Sequence, residues 1–527
     1  MLQPSSRAAA VPLGLALLVA AVGVGDSLPE PLRTRLDTVV VEDLKRHTTF
    51  LTAVECAGRD TPQEGLTRAR DYLVEQHRRF GLESGSPDAS YLHAFDVPSV
   101  TWSAGDHLTI LAAPGIQEPL LFKPGVDFVP VRGSANGAVE GEVVFCGYGI
   151  ADVAEKYDDF KGVDVRDRIV AVLLHEPREN RKGRAFKGEE WTAHGAITSK
   201  HKAAEERGAK AVIVFTDPLN HPDRSVLKGE HPLYGSLGNR RGGPKIPVVH
   251  ASGEVADALF GKGKLLEWQK GLDQRLAGAP RLIAGVRVKL EVALRDASIA
   301  VHNVVAAKPG SDPERRDEWI VVGAHYDHVG VDEYGRIFHG ADDNGSGTSC
   351  LLEIAEAIAP PEVTFRRSVL LIHFAAEEKG LLGAAAFCRK PYFPADKMLA
   401  MVNMDMVGRG RPHEIDAAGL ANSTDFQALV RKATALSRAR LKVGNGGMQF
   451  FQRSDQYEFW RLGVPVLFFM EPEEHPDYHK VTDTMDKLVW GKIAETAKVV
   501  TGLVWLLSEA DERPAQKGIG SDRGGSR

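Results

Sequence analysis

Acidic and histidine side chains follow four strand-like apolar runs in the last third of the chain, where they could hold a metal ion. The runs are EWIVVGA, RSVLLIHFAA, MLAMVNM and VPVLFFM. The polar residues at or after their ends are His325, Asp327, Glu377, Glu378, Asp405 and His479. In open α/β sheets, sites form beyond the carboxyl ends of the strands. We therefore expect these side chains to meet at one edge of a sheet.

The acids in these segments need a partner. Asp405 lies among apolar residues in MVNMDMV, so it must be paired, protonated or bound to a metal, because an isolated buried carboxylate is costly. Glu377 and Glu378 are adjacent and repel each other unless a cation or a shared proton intervenes. Each feature alone has an ordinary explanation, a hydrogen-bonded Asp at a strand end or two acids in a solvated loop. Their joint presence favours a metal.

The segment HGADDNGSGTSCLLEIAEAIA adds two consecutive acids, Asp342 and Asp343, before a predicted amphipathic helix. Helix capping accounts for one of them but not for both. His325 has Asp327 nearby, and a metal-bound histidine usually gives its second ring N–H to a carboxylate or carbonyl. Nitrogen and carboxylate ligands without cysteine suit zinc, with cobalt or manganese as alternatives. Two histidines and several acids suit a bridged pair of metal ions.

Five motifs occur in a fixed order: GAHYDH, GADDNGSG, AAEEKGLLGA, NMDMVGR and DYHKVTDT. Together they resemble the co-catalytic zinc aminopeptidase family, which includes bacterial leucyl aminopeptidases and, more distantly, glutamate carboxypeptidase and the transferrin receptor. The resemblance covers residues 298–509 and, less closely, two helices predicted within residues 41–83. It implies an α/β fold with a mixed, mostly parallel sheet flanked by helices. It also implies a peptide substrate and two Zn²⁺ ions per chain.

The resemblance gives each site residue a role. It implies the metal ligands His325, Asp343, Glu378, Asp405 and His479. His325 and Asp405 would bind one metal, Glu378 and His479 the other, and Asp343 would bridge both because it matches the second acid of ADDN. The peptide bond after this Asp is often cis in the family, which here is Asp343–Asn344.

The implied catalytic residues are Glu377, as general base toward a metal-activated water, and Asp327, which would orient His325. Tyr478 is a candidate for stabilising the oxyanion, with packing as the alternative. The chain departs from the family at Gln456, where a histidine is usual. That departure concerns substrate contacts rather than the metals.

The middle of the chain, residues 131–280, resembles a protease-associated domain. The runs EGEVVFCGYG, RDRIVAVLL, KAAEERGAKAVIVF and IPVVHAS match its usual order. The peptidase domain would then be split into residues 36–130 and residues 298–509. In this interpretation the β-rich insert supplies no metal ligand.

The two ends of the chain predict export and a polar tail. Arg7 precedes a long apolar run, so residues 1–27 are predicted to be a signal peptide of a secreted or periplasmic protein, with an uncleaved anchor as the alternative. No later run is apolar enough to span a membrane. The tail over residues 511–527 is polar and glycine-rich, which predicts disorder. Net charge is −6 without a basic block, which argues against nucleic acid as a partner.

Three alternatives to an aminopeptidase share this resemblance. A carboxypeptidase would need a basic pocket, for which Arg453 and Arg461 are the candidates. A non-catalytic, receptor-like homologue is disfavoured because the ligand set is intact. A glutaminyl cyclase uses one zinc, and the five-ligand set and the insert disfavour it. No GxSxG or HExxH motif supports a serine hydrolase or a single-zinc endopeptidase.

Overall fold

The structure is a computed structural model that describes residues 27–518 except 102, 104, 132, 153–155, 180–185, 187–191, 222–242 and 332–335. All but the last residue of the predicted signal peptide lie outside the described residues, as does the tail beyond residue 518. Those two predictions therefore stay predictions.

Strands and helices alternate along most of the chain. In chain order the helices are α1 (Glu30–Leu36), α2 (Val41–Leu51), α3 (Glu64–Phe80), α4 (Ile197–Glu205), α5 (Gly253–Phe260), α6 (Lys264–Arg275), α7 (Gly347–Ile358), α8 (Leu382–Arg389), α9 (Thr424–Leu436), α10 (Gln456–Arg461) and α11 (Trp490–Glu509). The strands are β1 (Glu83–Ser84), β2 (Leu92–Thr101), β3 (His107–Ala112), β4 (Leu120–Phe122), β5 (Phe128–Pro130), β6 (Gly137–Phe145), β7 (Ala151–Asp152), β8 (Tyr157–Asp158), β9 (Ile169–Leu173), β10 (Ala211–Phe215), β11 (Val248–Ala251), β12 (Arg281–Val292), β13 (Arg295–Lys308), β14 (Trp319–His325), β15 (Ser368–Phe374), β16 (Met398–Met404), β17 (Glu414–Ala418), β18 (Lys442–Gly444) and β19 (Val466–Met470).

The larger sheet has the strand order β1-β13-β15-β14-β16-β19-β17-β18, with β2 also paired to β13. Its four central strands, β15, β14, β16 and β19, run parallel. Antiparallel pairs lie on both sides of them. The central strands are apolar and buried along nearly their whole length, as expected of parallel strands covered on both faces. The predicted mixed α/β sheet is confirmed.

Helices cover both faces of this sheet. One apolar core joins the sheet to α1, α2, α7, α9 and α11, and a second joins it to α8 and α10. The two helices predicted within residues 41–83 are present as α2 and α3. The second ends at Gly81, whose positive φ of 86° gives the left-handed cap that glycine adopts most easily.

The smaller sheet has the strand order β4-β3-β12-β6-β9-β10-β11-β5. All strands of this sheet lie between β2 and β13 in the chain. The first is β3, which begins at residue 107, and the last is β12, which ends at residue 292. This sheet extends on both sides of the predicted insert, residues 131–280. Its central strands β6, β9, β10 and β11 are parallel, with α5 and α6 on one side and α4 on the other.

All four cysteines lie within the described residues, and all are buried free thiols. In the part of the chain that the structure describes, no helix is both long enough and apolar enough to cross a membrane.

Candidate metal centre

The predicted site residues meet at the carboxyl ends of the central parallel strands. His325 is the last residue of β14, and Asp405 directly follows β16. Glu377 and Glu378 lie three and four residues beyond β15, and His479 lies in the segment after β19. Parallel neighbours end at the same edge of a sheet, so residues far apart in sequence converge there.

One group of donors surrounds the imidazole of His325. Its Nε2 lies 3.1 Å from Oδ1 of Asp405 and 3.9 Å from Oε2 of Glu377. Nε2 is also 3.4 Å from Oδ1 of Asp343. The other ring nitrogen, Nδ1, lies 3.2 Å from the backbone carbonyl oxygen of Asp327, so Nε2 is left to face the carboxylates.

A second group surrounds Glu378. Nε2 of His479 lies 3.0 Å from Oε2 of Glu378 and 3.2 Å from Oδ2 of Asp343. Asp343 thus presents one oxygen to each group, which is the arrangement expected of a bridging carboxylate. Asp342 points elsewhere, because its Oδ1 accepts the N–H of Gly408 and its Oδ2 lies 3.2 Å from Nε2 of His475. Of the two adjacent acids, Asp343 faces both donor groups and Asp342 faces neither.

Asp343 lies in a turn, Ala341–Ser346, that leads into α7. Its peptide bond to Asn344 is cis. A side chain at Gly347 would place its Cβ 2.3 Å from Oδ1 of Asn344 and 2.5 Å from the carbonyl oxygen of Met404. Only glycine allows the start of α7 to approach the end of β16 so closely.

Asp327 has contacts beyond those expected of a residue that only orients His325. Its Oδ1 lies 3.6 Å from Nδ1 of His325. The same carboxylate accepts the backbone N–H groups of Glu377, at 3.0 Å, and Glu378, at 3.3 Å. Asp327 therefore fixes the turn that carries both adjacent acids.

The site contains more buried carboxylate groups than histidines, so protonated histidines alone cannot neutralise the negative charge. Burial raises the pKa of Glu377 well above its usual range and also raises that of Asp405. Burial opposes ionisation of Asp343 as well, but His328, His325 and His479 hold its pKa well below the ordinary value. Burial lowers the pKa of His479, yet its hydrogen bonds to Asp343 and Glu378 outweigh this and raise the pKa to about 10. Such a site attracts positive charge.

Two residues near the centre were not among the predicted ligands or catalytic residues. Nδ1 of His328 lies 3.0 Å from Oε1 of Glu378 and 3.6 Å from Oδ2 of Asp343, so it faces the second donor group. Asp455 is fully buried, and neither of its carboxylate oxygens accepts a hydrogen bond from the described part of the chain. The sequence feature that could have identified His328 is its position in the motif GAHYDH, three residues after His325.

The donor set fits two divalent metal ions. Imidazole nitrogens and carboxylate oxygens are the ligands that zinc takes in catalytic sites. The two groups are His325, Glu377 and Asp405, and His328, Asp343, Glu378 and His479. The donor atoms within each group lie within 4.8 Å of one another. A cation at each group would balance carboxylates that otherwise bear the full cost of burial.

A pocket opens beside the two groups. It is lined by Asp343, Glu377, Asp405, Met406, Phe450, Arg453, Phe468, Met470, Glu471, Glu473, Glu474 and Tyr478. Arg453, the one arginine among the described lining residues, is already engaged, because its Nη2 donates to Oε1 of Glu474 at 3.1 Å and to the hydroxyl of Tyr478 at 3.2 Å. The second candidate, Arg461, pairs with Glu458 and does not line the pocket.

The sheet, its helices and the two adjoining groups define an α/β protein with histidine and carboxylate donors that could hold metal ions. Residues 303–504 match the model of Peptidase family M28. This part of the chain is therefore similar to that family of peptidases.

Named relatives match part of the chain. It is 30% identical over 208 residues to Probable leucine aminopeptidase of Arthroderma otae, covering 38% of this chain and 57% of that protein. It is 27% identical over 323 residues to Aminopeptidase YwaD of Bacillus subtilis, covering 60% of this chain and 61% of that protein. The solved structure of BSAP, a zinc aminopeptidase from Bacillus subtilis, aligns at 20% identity with a TM-score of 0.48, over 88% of this chain and 94% of that one. The chain spans less than two thirds of the length of the two curated relatives.

Proposed function

We propose that this protein is a zinc-dependent aminopeptidase that removes N-terminal residues from peptides at a two-metal centre. The observation that carries the proposal is the position of Asp343 between two groups of histidine and carboxylate donors. The ligands would be His325 and Asp405 on one side, Glu378 and His479 on the other, and Asp343 between them. An intact set argues against a non-catalytic, receptor-like role.

The chemistry divides between the metals and the chain. Two bound divalent ions would polarise the scissile carbonyl and lower the pKa of a water molecule. Glu377 lines the pocket and its Oε2 lies 3.9 Å from Nε2 of His325, which supports a role as the base that would accept a proton from the attacking water and return it to the leaving amine. Asp327 acts through the backbone, since it holds the N–H groups of Glu377 and Glu378.

The charge of the pocket favours an aminopeptidase over a carboxypeptidase. Glu473 and Glu474 line it, whereas burial raises the pKa of the third lining glutamate, Glu471, to about 9. Among the described lining residues the one arginine, Arg453, is bound to Glu474. A free α-amino group carries positive charge and is attracted to the remaining carboxylates. A substrate carboxylate would find no unengaged arginine among these residues. The names of the Arthroderma and Bacillus relatives support the same choice.

The test compares matched peptides that differ only at their ends. We expect hydrolysis of a leucyl peptide with a free N-terminus, and no hydrolysis when that amine is acetylated. Amidation of the C-terminus should have little effect, because no C-terminal carboxylate needs to be bound. Cleavage that survives N-acetylation but is lost on C-terminal amidation would instead identify a carboxypeptidase.

The metal requirement is tested on the same peptides. A chelator should abolish hydrolysis, and added Zn²⁺ should restore it. Full activity in protein shown by elemental analysis to contain no transition metal would overturn the proposal.

The domain organisation and export complete the proposal. A peptidase domain, predicted as residues 36–130 and 298–509, would carry a protease-associated domain. The bounds predicted for that insert, 131–280, lie inside the smaller sheet, whose strands extend from residue 107 to residue 292. The apolar segment after Arg7 supports a signal peptide and a secreted or periplasmic location. N-terminal sequencing of the protein recovered from its native compartment would find a start near residue 28 if the segment is cleaved.

A further inference from the structure

A second cluster of histidines and acids lies in the smaller sheet, apart from the candidate metal centre of the larger sheet. Its members are His175, Glu179, Asp217 and His221. One donor atom from each lies within 4.8 Å of one from every other member. From this geometry we infer a further metal site, built to hold one first-row divalent cation such as Zn²⁺ within the smaller sheet.

The cluster is built by two neighbouring parallel strands. Leu173, the last residue of β9, pairs with Phe215, the last residue of β10. His175 and Glu179 lie two and six residues beyond the end of β9. Asp217 and His221 lie two and six residues beyond the end of β10. The carboxyl ends of β9 and β10 thus present His-x₃-Glu beside Asp-x₃-His. In the second loop the N–H of His221 donates to the carbonyl of Asp217 at 3.1 Å, a helical turn that brings both side chains to one side.

Within the cluster, each of the two histidines contacts both carboxylates instead of forming a separate ion pair with one of them. Nε2 of His221 lies 2.7 Å from Oε1 of Glu179 and 4.0 Å from Oδ1 of Asp217. Nδ1 of His175 contacts Oδ1 of Asp217 and lies 3.5 Å from Oε2 of Glu179. Each imidazole nitrogen therefore faces both carboxylates. A tetrahedral zinc with bonds of about 2.05 Å separates its ligand atoms by about 3.3 Å. The separations of 2.7, 3.5 and 4.0 Å in the cluster lie on both sides of that value.

Burial makes these groups unusual for a structural ion-pair network. His175 and Asp217 are fully buried, Glu179 is 4% exposed, and the side chain of His221 is 13% exposed. Oε2 of Glu179 faces His175 but accepts no hydrogen bond from any described residue. A buried carboxylate oxygen without a donor is costly, and a cation between the four donors would remove that cost.

Neighbouring residues form hydrogen bonds to the proposed ligands, as residues that surround metal ligands commonly do. Oδ2 of Asp217 accepts hydrogen bonds from Nδ2 of Asn220, at 2.9 Å, and from Nε2 of Gln269, at 3.2 Å. These bonds leave Oδ1 directed at the histidines, and ligating carboxylates are commonly held in this way. Lys200 donates to the carbonyl of His175 at 2.6 Å, which fixes the loop after β9.

The site would be structural rather than catalytic. Four protein donors fill the coordination of zinc and leave no open position. The bound ion would tie the loops after β9 and β10 together at this end of the sheet. His221 also lines an open pocket of about 410 Å³ between the loop after β10 and the α5–α6 region, which gives a cation a route to the cluster.

The test is metal stoichiometry in the full-length protein. We expect His221→Ala and Asp217→Asn each to lower the zinc content, measured by elemental analysis after gel filtration, by one ion per chain while peptidase activity is retained. The matched control is His194→Ala in the same part of the chain, where Nε2 pairs with the single carboxylate of Asp152 at 2.7 Å. That control should keep the wild-type metal content. Unchanged metal content in both cluster variants would overturn the inference.

A second measurement covers the case in which those variants do not fold. Metal-stripped Asp343→Asn protein, disabled at the catalytic centre, is dialysed against Zn²⁺ with all four cluster residues intact. We expect at least one tight site, and zinc should raise the thermal unfolding midpoint and slow hydrogen exchange in the loops after β9 and β10, which metal held only at the other centre would not do. Absence of any tight site, or tight binding without slower exchange in those two loops, would overturn the inference. The outcome does not depend on which reaction the other centre catalyses, because none of these readouts is turnover.

Discussion

The carboxylate of Asp327 accepts the backbone N–H of Glu377 at 3.0 Å, which joins the end of β14 to the turn after β15. It accepts the N–H of Glu378 as well, at 3.3 Å. A residue expected to orient one histidine therefore also sets the direction of the two neighbouring acids. The proposed general base, Glu377, and a proposed metal ligand, Glu378, owe their positions to the same carboxylate.

Removing the carboxylate of Asp327 should reduce turnover or metal affinity without abolishing metal binding. Asp327→Ala leaves two buried N–H groups without an acceptor and frees the turn after β15. We expect a loss of about 10–100-fold in turnover or metal affinity, the usual effect of removing a group that supports metal ligands. Kinetics at saturating zinc, combined with a metal titration, separates the two effects. Wild-type values for both would refute the role assigned to Asp327.

The two adjacent acids should respond differently to the same substitution. Glu377→Gln removes the general base but no assigned ligand, so both metals should stay while turnover falls by roughly two to four orders of magnitude. Glu378→Gln removes a charged ligand, so metal binding should weaken and excess zinc should partly rescue activity. Metal content measured beside turnover distinguishes them. Metal loss in Glu377→Gln with retention in Glu378→Gln would reverse the roles.

His328 should contribute to the second donor group. Its Nδ1 is 3.0 Å from Oε1 of Glu378, as close as the imidazole of His479 is to the same carboxylate. We expect His328→Gln to weaken zinc binding by about 10–100-fold, whether the ring binds the metal or supports a ligand. His339→Gln is the control, because that ring pairs with the carbonyl of Thr52 outside both groups. Equal zinc affinity in the two variants would exclude a role for His328.

A buried acid in the smaller sheet should make stability depend on pH. Burial raises the pKa of Asp159 from its ordinary 3.8 to about 7, although its Oδ2 accepts the N–H groups of Tyr148 and Ile150. Between these pH values the unfolded chain releases a proton that the folded chain keeps. The free energy of unfolding therefore falls as pH rises through this window and levels off above it.

The variant Asp159→Asn cannot ionise and should lack this decline. Its stability relative to the wild type should increase from pH 4 to pH 7, by roughly 4 kcal/mol at most. Thermal or urea unfolding across this range measures the difference. Asp158→Asn, at the half-buried neighbouring position, should follow the wild-type profile. Parallel profiles for Asp159→Asn and the wild type would contradict the prediction.

Much of the larger sheet could be predicted from the sequence because its signals are local. Buried parallel strands read as continuous apolar runs, and polar residues directly after such runs indicate the carboxyl edge where sites form. For this reason His325 and Asp405 could be located without a structure. The extent of the smaller sheet was harder to predict from the sequence, because the pairing of β3 and β12 joins residues far apart in the chain. Its extent from residue 107 to residue 292 therefore escaped prediction.

The sequence by itself determined which residue types are available for a metal centre and the order in which they occur along the chain. Only the tertiary structure decided which of them face one another. Asp342 and Asp343 are chemically identical, and the turn before α7 directs one to His475 and the other to both donor groups. The cluster in the smaller sheet depends on the register of β9 and β10, which aligns Leu173 with Phe215. Register and turn conformation arise from packing over the whole fold, so a local pattern does not contain them.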